Sequence, residues 1–167
     1  MHSILDAIQG KTTYSDAQHR QLRVAQWLLE KHPNVVSHCD FFVFIDDDTW
    51  INTELLQRVL YTLKPVQKLL FGYFVAGQKM NGGAGMIMSS DLFQEMIPMI
   101  YNHPECPFDY ANDGTITRCA KFLNATQLQT TQTPFYVHTE KENVADFGDK
   151  ILLLKVNTVE EMIWYMN

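Results

Sequence analysis

The sequence predicts an α/β domain, and three observations carry that expectation. Apolar residues recur at helical spacing over 15–31, 53–63 and 113–123. Short aromatic or β-branched runs at 41–45, 69–71 and 86–88 fall between them. Helix-like and strand-like segments therefore alternate along the chain, the pattern of a largely parallel sheet covered by helices. At 167 residues the chain has the length of a single domain, with no internal repeat.

The first helix is expected over 15–31. Ser15-Asp16-Ala17-Gln18 has the form of a capping box, Leu22, Ala25, Leu28 and Leu29 form its apolar face, and Pro33 ends it. Five apolar residues in succession, Phe41-Phe42-Val43-Phe44-Ile45, read as a strand buried on both faces. Asn52 or Thr53 caps a second helix that carries Leu55, Leu56, Val59, Leu60 and Leu63. A strand at 69–71 ends at Gly72, a polar glycine-bearing loop covers 76–83, and a strand occupies 86–88. Ser89 or Ser90 then caps a helix with Leu92, Phe93, Met96, Ile97 and Ile100, which Pro98 kinks or shortens. After a loop over 102–112, Asp113 is placed as the cap of a helix reaching Leu123, with Ile116, Ala120 and Leu123 inward. Strand candidates follow at 135–137 and 151–156, and Thr158-Val159-Glu160-Glu161 forms a capping box for a last short helix.

Composition narrows the function classes. Hydrophobic residues make 46% of the chain and charged residues 19%, enough for a core and too few charges for disorder. The net charge is −6 and the basic residues form no cluster, which argues against a nucleic-acid partner held through phosphates. No apolar run approaches the roughly 20 residues of a membrane span. Residues 1–10 lack the charged and apolar regions of a signal peptide. Cys39, Cys106 and Cys119 contain no CxxC pair, so a zinc site is not expected. Cys106 and Cys119 are near enough in sequence to close a small disulfide loop in an oxidising compartment; three reduced thiols is the other reading.

The chemistry concentrates at a few positions. Asp46, Asp47 and Asp48 follow a strand at its carboxyl end, where open α/β sheets bind ligands. Three adjacent carboxylates raise one another's pKa unless a cation shares them. A hard divalent ion, Mg²⁺ or Mn²⁺, held by one or two carboxylates and substrate phosphates fits that requirement. On an extended backbone Asp46 and Asp48 point to one side and Asp47 to the other. Asn81-Gly82-Gly83-Ala84-Gly85 allows close backbone approach to a ligand, although a β-turn explains it equally. Asp113 is a helix cap, a general base, or both. His138, with Glu140 beyond it, is a candidate nitrogen ligand or an ordinary polar group.

As an ordered set, 41–52 (FFVFIDDDTWIN), 82–85 (GGAG) followed by MIMSSDL, 112–123 (NDGTITRCAKFL) and 135–140 (FYVHTE) resemble the fringe-like branch of the β1,3-glycosyltransferases, of the GT-A fold. The resemblance runs from about residue 15 to about residue 144. It implies an inverting, metal-dependent transfer of a sugar, of the N-acetylglucosamine or galactose class, from a UDP-sugar to the 3-hydroxyl of a glycan or glycoprotein acceptor. By the same resemblance Asp46 and Asp48 hold the cation, usually Mn²⁺, with His138. Asp46 and Asp47 lie at the nucleotide, and Gly82, Gly83 and Ala84 border the donor sugar. Asp113 takes the acceptor proton.

The chain departs from the pattern at three places: Asn112 stands for the first acid of the family's pair, Thr117 for a glycine, and Tyr136 for a histidine. The resemblance also implies that residues 1–167 are the C-terminal part of one catalytic domain, with about 80 further residues of sheet and uracil pocket before it. A membrane anchor would lie in a segment outside this chain, and the setting would be the Golgi or ER lumen. Asn124-Ala125-Thr126 is a glycosylation sequon consistent with that setting. A second expectation is a catalytically inactive relative that binds glycan or protein.

Overall fold

The computed structural model describes residues 14–46, 49–63, 68–75, 79–129 and 153–155. Within them the elements are α1 (Tyr14–Lys31), α2 (Pro33–Ser37), β1 (Phe41–Phe44), β2 (Thr49–Ile51), α3 (Thr53–Thr62), β3 (Leu69–Gly72), β4 (Phe74–Val75), β5 (Lys79–Met80), β6 (Met86–Ser89), α4 (Ser90–Met96), α5 (Asn112–Phe122), β7 (Thr126–Gln129) and β8 (Leu153–Lys155), with single 3₁₀ turns at Gly82–Ala84 and Ile97–Met99. The fold is mixed α/β: a four-stranded sheet flanked by helices, and two small two-stranded ribbons, β2–β8 and β4–β5.

The sheet order is β1-β6-β3-β7. Contrary to the expectation of a largely parallel sheet, β6 runs antiparallel to both β1 and β3, and only β3 and β7 pair in parallel. The chain passes from β3 through the short β4–β5 hairpin straight into β6, and a hairpin-type return brings the strand back antiparallel. The same hairpin replaces part of the loop expected over 76–83, and it buries Met80 completely.

Side chains alternate across the sheet with period two. Phe44, Leu70, Met86 and Met88 join the core formed with α1, α4 and α5, whereas Leu69, Phe71 and Ile87 face the cluster built on α3. β3 and β6 are buried on both faces, as their apolar runs require. β1 is not: it ends at Phe44 and lies at the sheet edge among the described residues, where Phe41, Phe42 and Val43 are only half-buried and Ile45 is exposed.

Most helix expectations hold, with changes in who caps whom. Asn52 caps α3 by accepting the Leu55 N–H at 3.0 Å. Pro98 ends α4 in a 3₁₀ turn after Met96. Ser89 occupies the N-cap position of α4, but its hydroxyl accepts the Leu69 N–H at 2.9 Å instead of a helix amide. α1 runs from Tyr14, the Ser15 side chain lies outside the described residues, and Gln18 is buried with its side-chain carbonyl turned to α5. The strand candidate at 135–137 and the capping box at 158–161 lie outside the described residues. Within 151–156, Leu153–Lys155 forms β8.

Cys106 and Cys119 are both fully buried free thiols between α5 and the loop before it. Burial first, then the hydrogen bond of the Cys119 thiol to Cys106, pushes the Cys119 thiol far above its usual range. Since the thiolate is the reactive form, a disulfide reagent at pH 8 should titrate one thiol in the native protein, the half-buried Cys39, and three in denaturant. Native titration of all three would contradict this packing.

Candidate functional site

Asp113 sits on α5, whose first turn is built from a distance. The N-cap position is Ala111, which has no side chain able to cap, so Asp113 is the second residue of the helix and not its cap. Gln18 of α1 supplies the missing acceptor: its Oε1 takes the Asn112 N–H at 3.2 Å. Gln21, one turn further along α1, accepts from the Asn112 side-chain amide through Oε1 and donates from Nε2 to the Ile45 carbonyl at 2.9 Å. Helix α1 thus joins the start of α5 to the end of β1, where the aspartates begin.

Between those two segments lies the glycine turn. Gly85 adopts φ 83°, which glycine tolerates without strain, and its N–H donates to the Gly82 carbonyl at 2.8 Å. A Cβ on Gly82 would stand 3.3 Å from the Asp113 Cβ and 3.4 Å from Asn112 Oδ1, so the turn packs tightly against α5 at a residue with no side chain. A Cβ on Gly83 would stand 4.0 Å from Asp46 Oδ2. Asp46 and Asp113, 67 positions apart in sequence, therefore border the same short turn. Strand β8, paired with β2, packs against this turn.

The Asp113 carboxylate is held at both oxygens. Oδ1 accepts the Gly114 N–H at 2.6 Å and pairs with Lys79 Nζ at 3.0 Å; Oδ2 takes a long 3.4 Å bond from the Gly82 N–H. Its side chain is 16% exposed, so Oδ2 is the oxygen with capacity left for an incoming group. Thr117 explains itself locally: its hydroxyl donates to the Asp113 carbonyl at 2.7 Å and accepts the Met80 N–H at 3.2 Å, pinning the β4–β5 hairpin to α5.

Of the residues singled out in the sequence, the structure brings together Asp46, Gly82, Gly83 and Asp113, with Ala84 in the same turn. Asp46 lies two residues past the end of β1, outside the extended strand, and its carbonyl accepts the Thr49 N–H at 3.2 Å. Asp47, Asp48, His138 and Tyr136 lie outside the described residues. Among the described residues no group of three His, Cys, Asp or Glu side chains is gathered to hold a metal ion. Sequence reading missed Lys79, Gln18 and Gln21. A lysine two residues before Asn81 carries no signal of its own, Gln18 read as the last residue of a capping box, and Gln21 carried no signal.

Asn112 is buried, and its side-chain amide donates where a carboxylate could only repel Gln21 Oε1. Asn112→Asp should therefore cost about 2–3 kcal/mol at neutral pH, a melting point lower by roughly 5–10 °C for a chain of this size. Burial raises the pKa of the introduced carboxyl above its unfolded value, so the loss should shrink as pH falls towards 5 and the protonated group donates again. An Asn112→Asp protein that melts with the wild type at pH 7 would contradict the bracket. No protein-family model matches the chain.

Proposed function

We propose that the chain carries the reaction centre of an inverting, metal-dependent UDP-sugar transferase that glycosylates the 3-hydroxyl of a glycan or glycoprotein acceptor. The observation that supports this most is the convergence of Asp46 and Asp113 on the Gly82–Gly83 turn. An inverting transfer needs a cation-binding acid at the leaving diphosphate and a second carboxylate on the opposite side of the sugar, at the attacking hydroxyl. The turn between the two carboxylates carries no side chain at Gly82 or Gly83.

In this reading Asp46 and Asp48 hold Mn²⁺ or Mg²⁺, with His138 completing the set. An aspartate at a loop following a strand is a hard oxygen donor of the right kind, and one or two such carboxylates suffice when phosphate oxygens fill the remaining positions. The cation supplies charge neutralisation for the departing diphosphate. Asp47 lies at the nucleotide. Gly82, Gly83 and Ala84 border the donor sugar. Asp113 Oδ2 receives the proton of the acceptor hydroxyl, while Gly114 and Lys79 keep Oδ1 fixed so that the carboxylate cannot rotate away. The full protein would work in the Golgi or ER lumen, anchored through a segment outside this chain.

Asn112 favours a second reading, a non-catalytic relative that binds glycan or protein, because a neutral amide stands where the resemblance expects an acid. The two readings separate in a transfer assay with UDP-N-acetylglucosamine and UDP-galactose, Mn²⁺ and a glycan array. The transferase reading expects a glycosylated product with inverted configuration; glycan capture without turnover of either donor is the outcome of the second.

Two expected outcomes test the assignment of roles. Mn²⁺ at 100 times its Kd should stabilise the protein by about 2.7 kcal/mol through mass action, and Asp46→Ala should remove most of that gain. Mn²⁺ shifting the melting point equally in both proteins would place the cation elsewhere. Asp113→Asn should lower kcat about 10²–10⁴-fold with the Mn²⁺ shift preserved; near-normal turnover in that variant would take the base assignment away.

A further inference from the structure

Asn124-Ala125-Thr126 is the chain's single Asn-x-Ser/Thr triplet, and the roles assigned to the transferase leave it unused. It spans the junction between α5 and β7. The helix closes on it with a Schellman turn: the Asn124 N–H donates to the Lys121 carbonyl at 3.0 Å and the Ala125 N–H to the Ala120 carbonyl at 2.8 Å. Asn124 takes the left-handed conformation that such a turn requires, φ 53°, which asparagine tolerates better than most side chains. The Thr126 N–H then donates to the Lys68 carbonyl at 2.8 Å, where the parallel pairing with β3 begins.

All three backbone N–H groups of the triplet are therefore engaged, and its two polar side chains are not. Asn124 and Thr126 are both exposed. Neither the Asn124 amide nor the Thr126 hydroxyl has a hydrogen-bond partner among the described residues. The turn accounts for an asparagine at 124 through its backbone alone, and β7 makes no use of the hydroxyl two residues on. A glycosylation acceptor uses both groups: the amide nitrogen carries the sugar, and a Ser or Thr hydroxyl two positions later is required, with no proline between them. Asp113 and Asn124 lie at opposite ends of α5, about 16 Å apart along its axis, so a sugar on Asn124 starts away from the candidate site.

We propose that Asn124 carries an N-linked glycan, added to the nascent chain before α5 and β7 close around the triplet. The order follows from the three engaged amides. An enzyme cannot draw the folded triplet into its own site without undoing the end of α5 and the first pair of β7. In the step itself, Asn124 Nδ2 bonds to the anomeric carbon of an N-acetylglucosamine in a lipid-diphosphate-linked oligosaccharide. The bond from that carbon to the diphosphate oxygen breaks, the diphosphate leaves with the electron pair, and the amide proton passes to a base of the oligosaccharide-transferring enzyme. The proposal rests on the transferase reading for one point only, the lumenal setting in which such a sugar is added.

Translation of the whole chain behind a cleavable signal peptide, with endoplasmic-reticulum microsomes present, tests the site. The product should show one upward gel shift, reversed by peptide N-glycosidase and lost in Asn124→Gln and Thr126→Ala. Thr126→Ala removes only an exposed hydroxyl, so it decides the matter if Asn124→Gln disturbs the turn. The order of events is read with detergent-solubilised microsomes and lipid-linked donor, offered either the purified folded chain or a peptide of residues 121–128. The peptide should be modified about tenfold faster or more, because opening this end of α5 costs free energy that the free peptide does not need. Folded chain modified as fast as the peptide overturns the order, and a shift that survives Thr126→Ala overturns the site. An unmodified nascent chain, beside a control glycoprotein modified in the same reaction, overturns the glycan and leaves the transferase reading standing. The microsomes supply lumen and donor, so a transfer assay without turnover leaves these results unchanged.

Discussion

Two glutamines one helical turn apart hold the site together. Gln18 and Gln21 of α1 take the backbone and side-chain amides of Asn112, and Gln21 also reaches the Ile45 carbonyl. α5 has no cap of its own, because Ala111 occupies the N-cap position. A helix terminus without acceptors leaves buried amides unpaired, and β1 lies at a sheet edge among the described residues. One surface of α1 reaches both, so the distance between Asp46 and Asp113 is set by a rigid helix and not by the loops on which the acids sit. The cost of losing it is large because Asn112 and Gln18 are buried and have no water to turn to.

On that frame the glycine turn and Lys79 divide the labour at Asp113. Gly82 approaches α5 so closely that a Cβ there would crowd Asp113 and Asn112 at 3.3 and 3.4 Å. Lys79 and the Gly114 amide share Oδ1, leaving Oδ2 with a single long bond. Thr117 then fixes the hairpin that carries Lys79, through the Met80 amide. Where the resemblance expects a glycine at position 117, this chain uses a hydroxyl that satisfies two backbone groups at once.

The elements were legible wherever their cause is local. The apolar periodicity of α1 and α5, the runs of β3 and β6, the Asn52 cap and the Pro98 break all act within a few residues of where they are read. Four features were not. β7 is polar, Thr-Gln-Leu-Gln, and becomes a strand only because the edge of β3 is open to it. β1 looks like a central strand but lies at an edge among the described residues. The reversed direction of β6 depends on a hairpin whose strands are two residues long, too short to show a period-two pattern. The start of α5 depends on Gln18, 94 positions away. At the site the residue types were legible as Asp46, Gly82, Gly83 and Asp113. The bracket and Lys79 were not, because long-range hydrogen bonds leave no spacing in the sequence.

The central claim is that Asp46 and Asp113 face one cleft across the Gly82–Gly83 turn. Paramagnetic broadening by Mn²⁺ measures this directly in an amide-resolved NMR spectrum of the chain. Substoichiometric Mn²⁺ should first erase the Gly82, Gly83 and Gly114 amide signals together with those around Asp46, leaving the acidic surface at Glu54 and Asp91 sharp. Broadening centred on Glu54 or Asp91, or confined to Asp46 with Gly82 and Gly114 untouched, would show that the two carboxylates do not share a site.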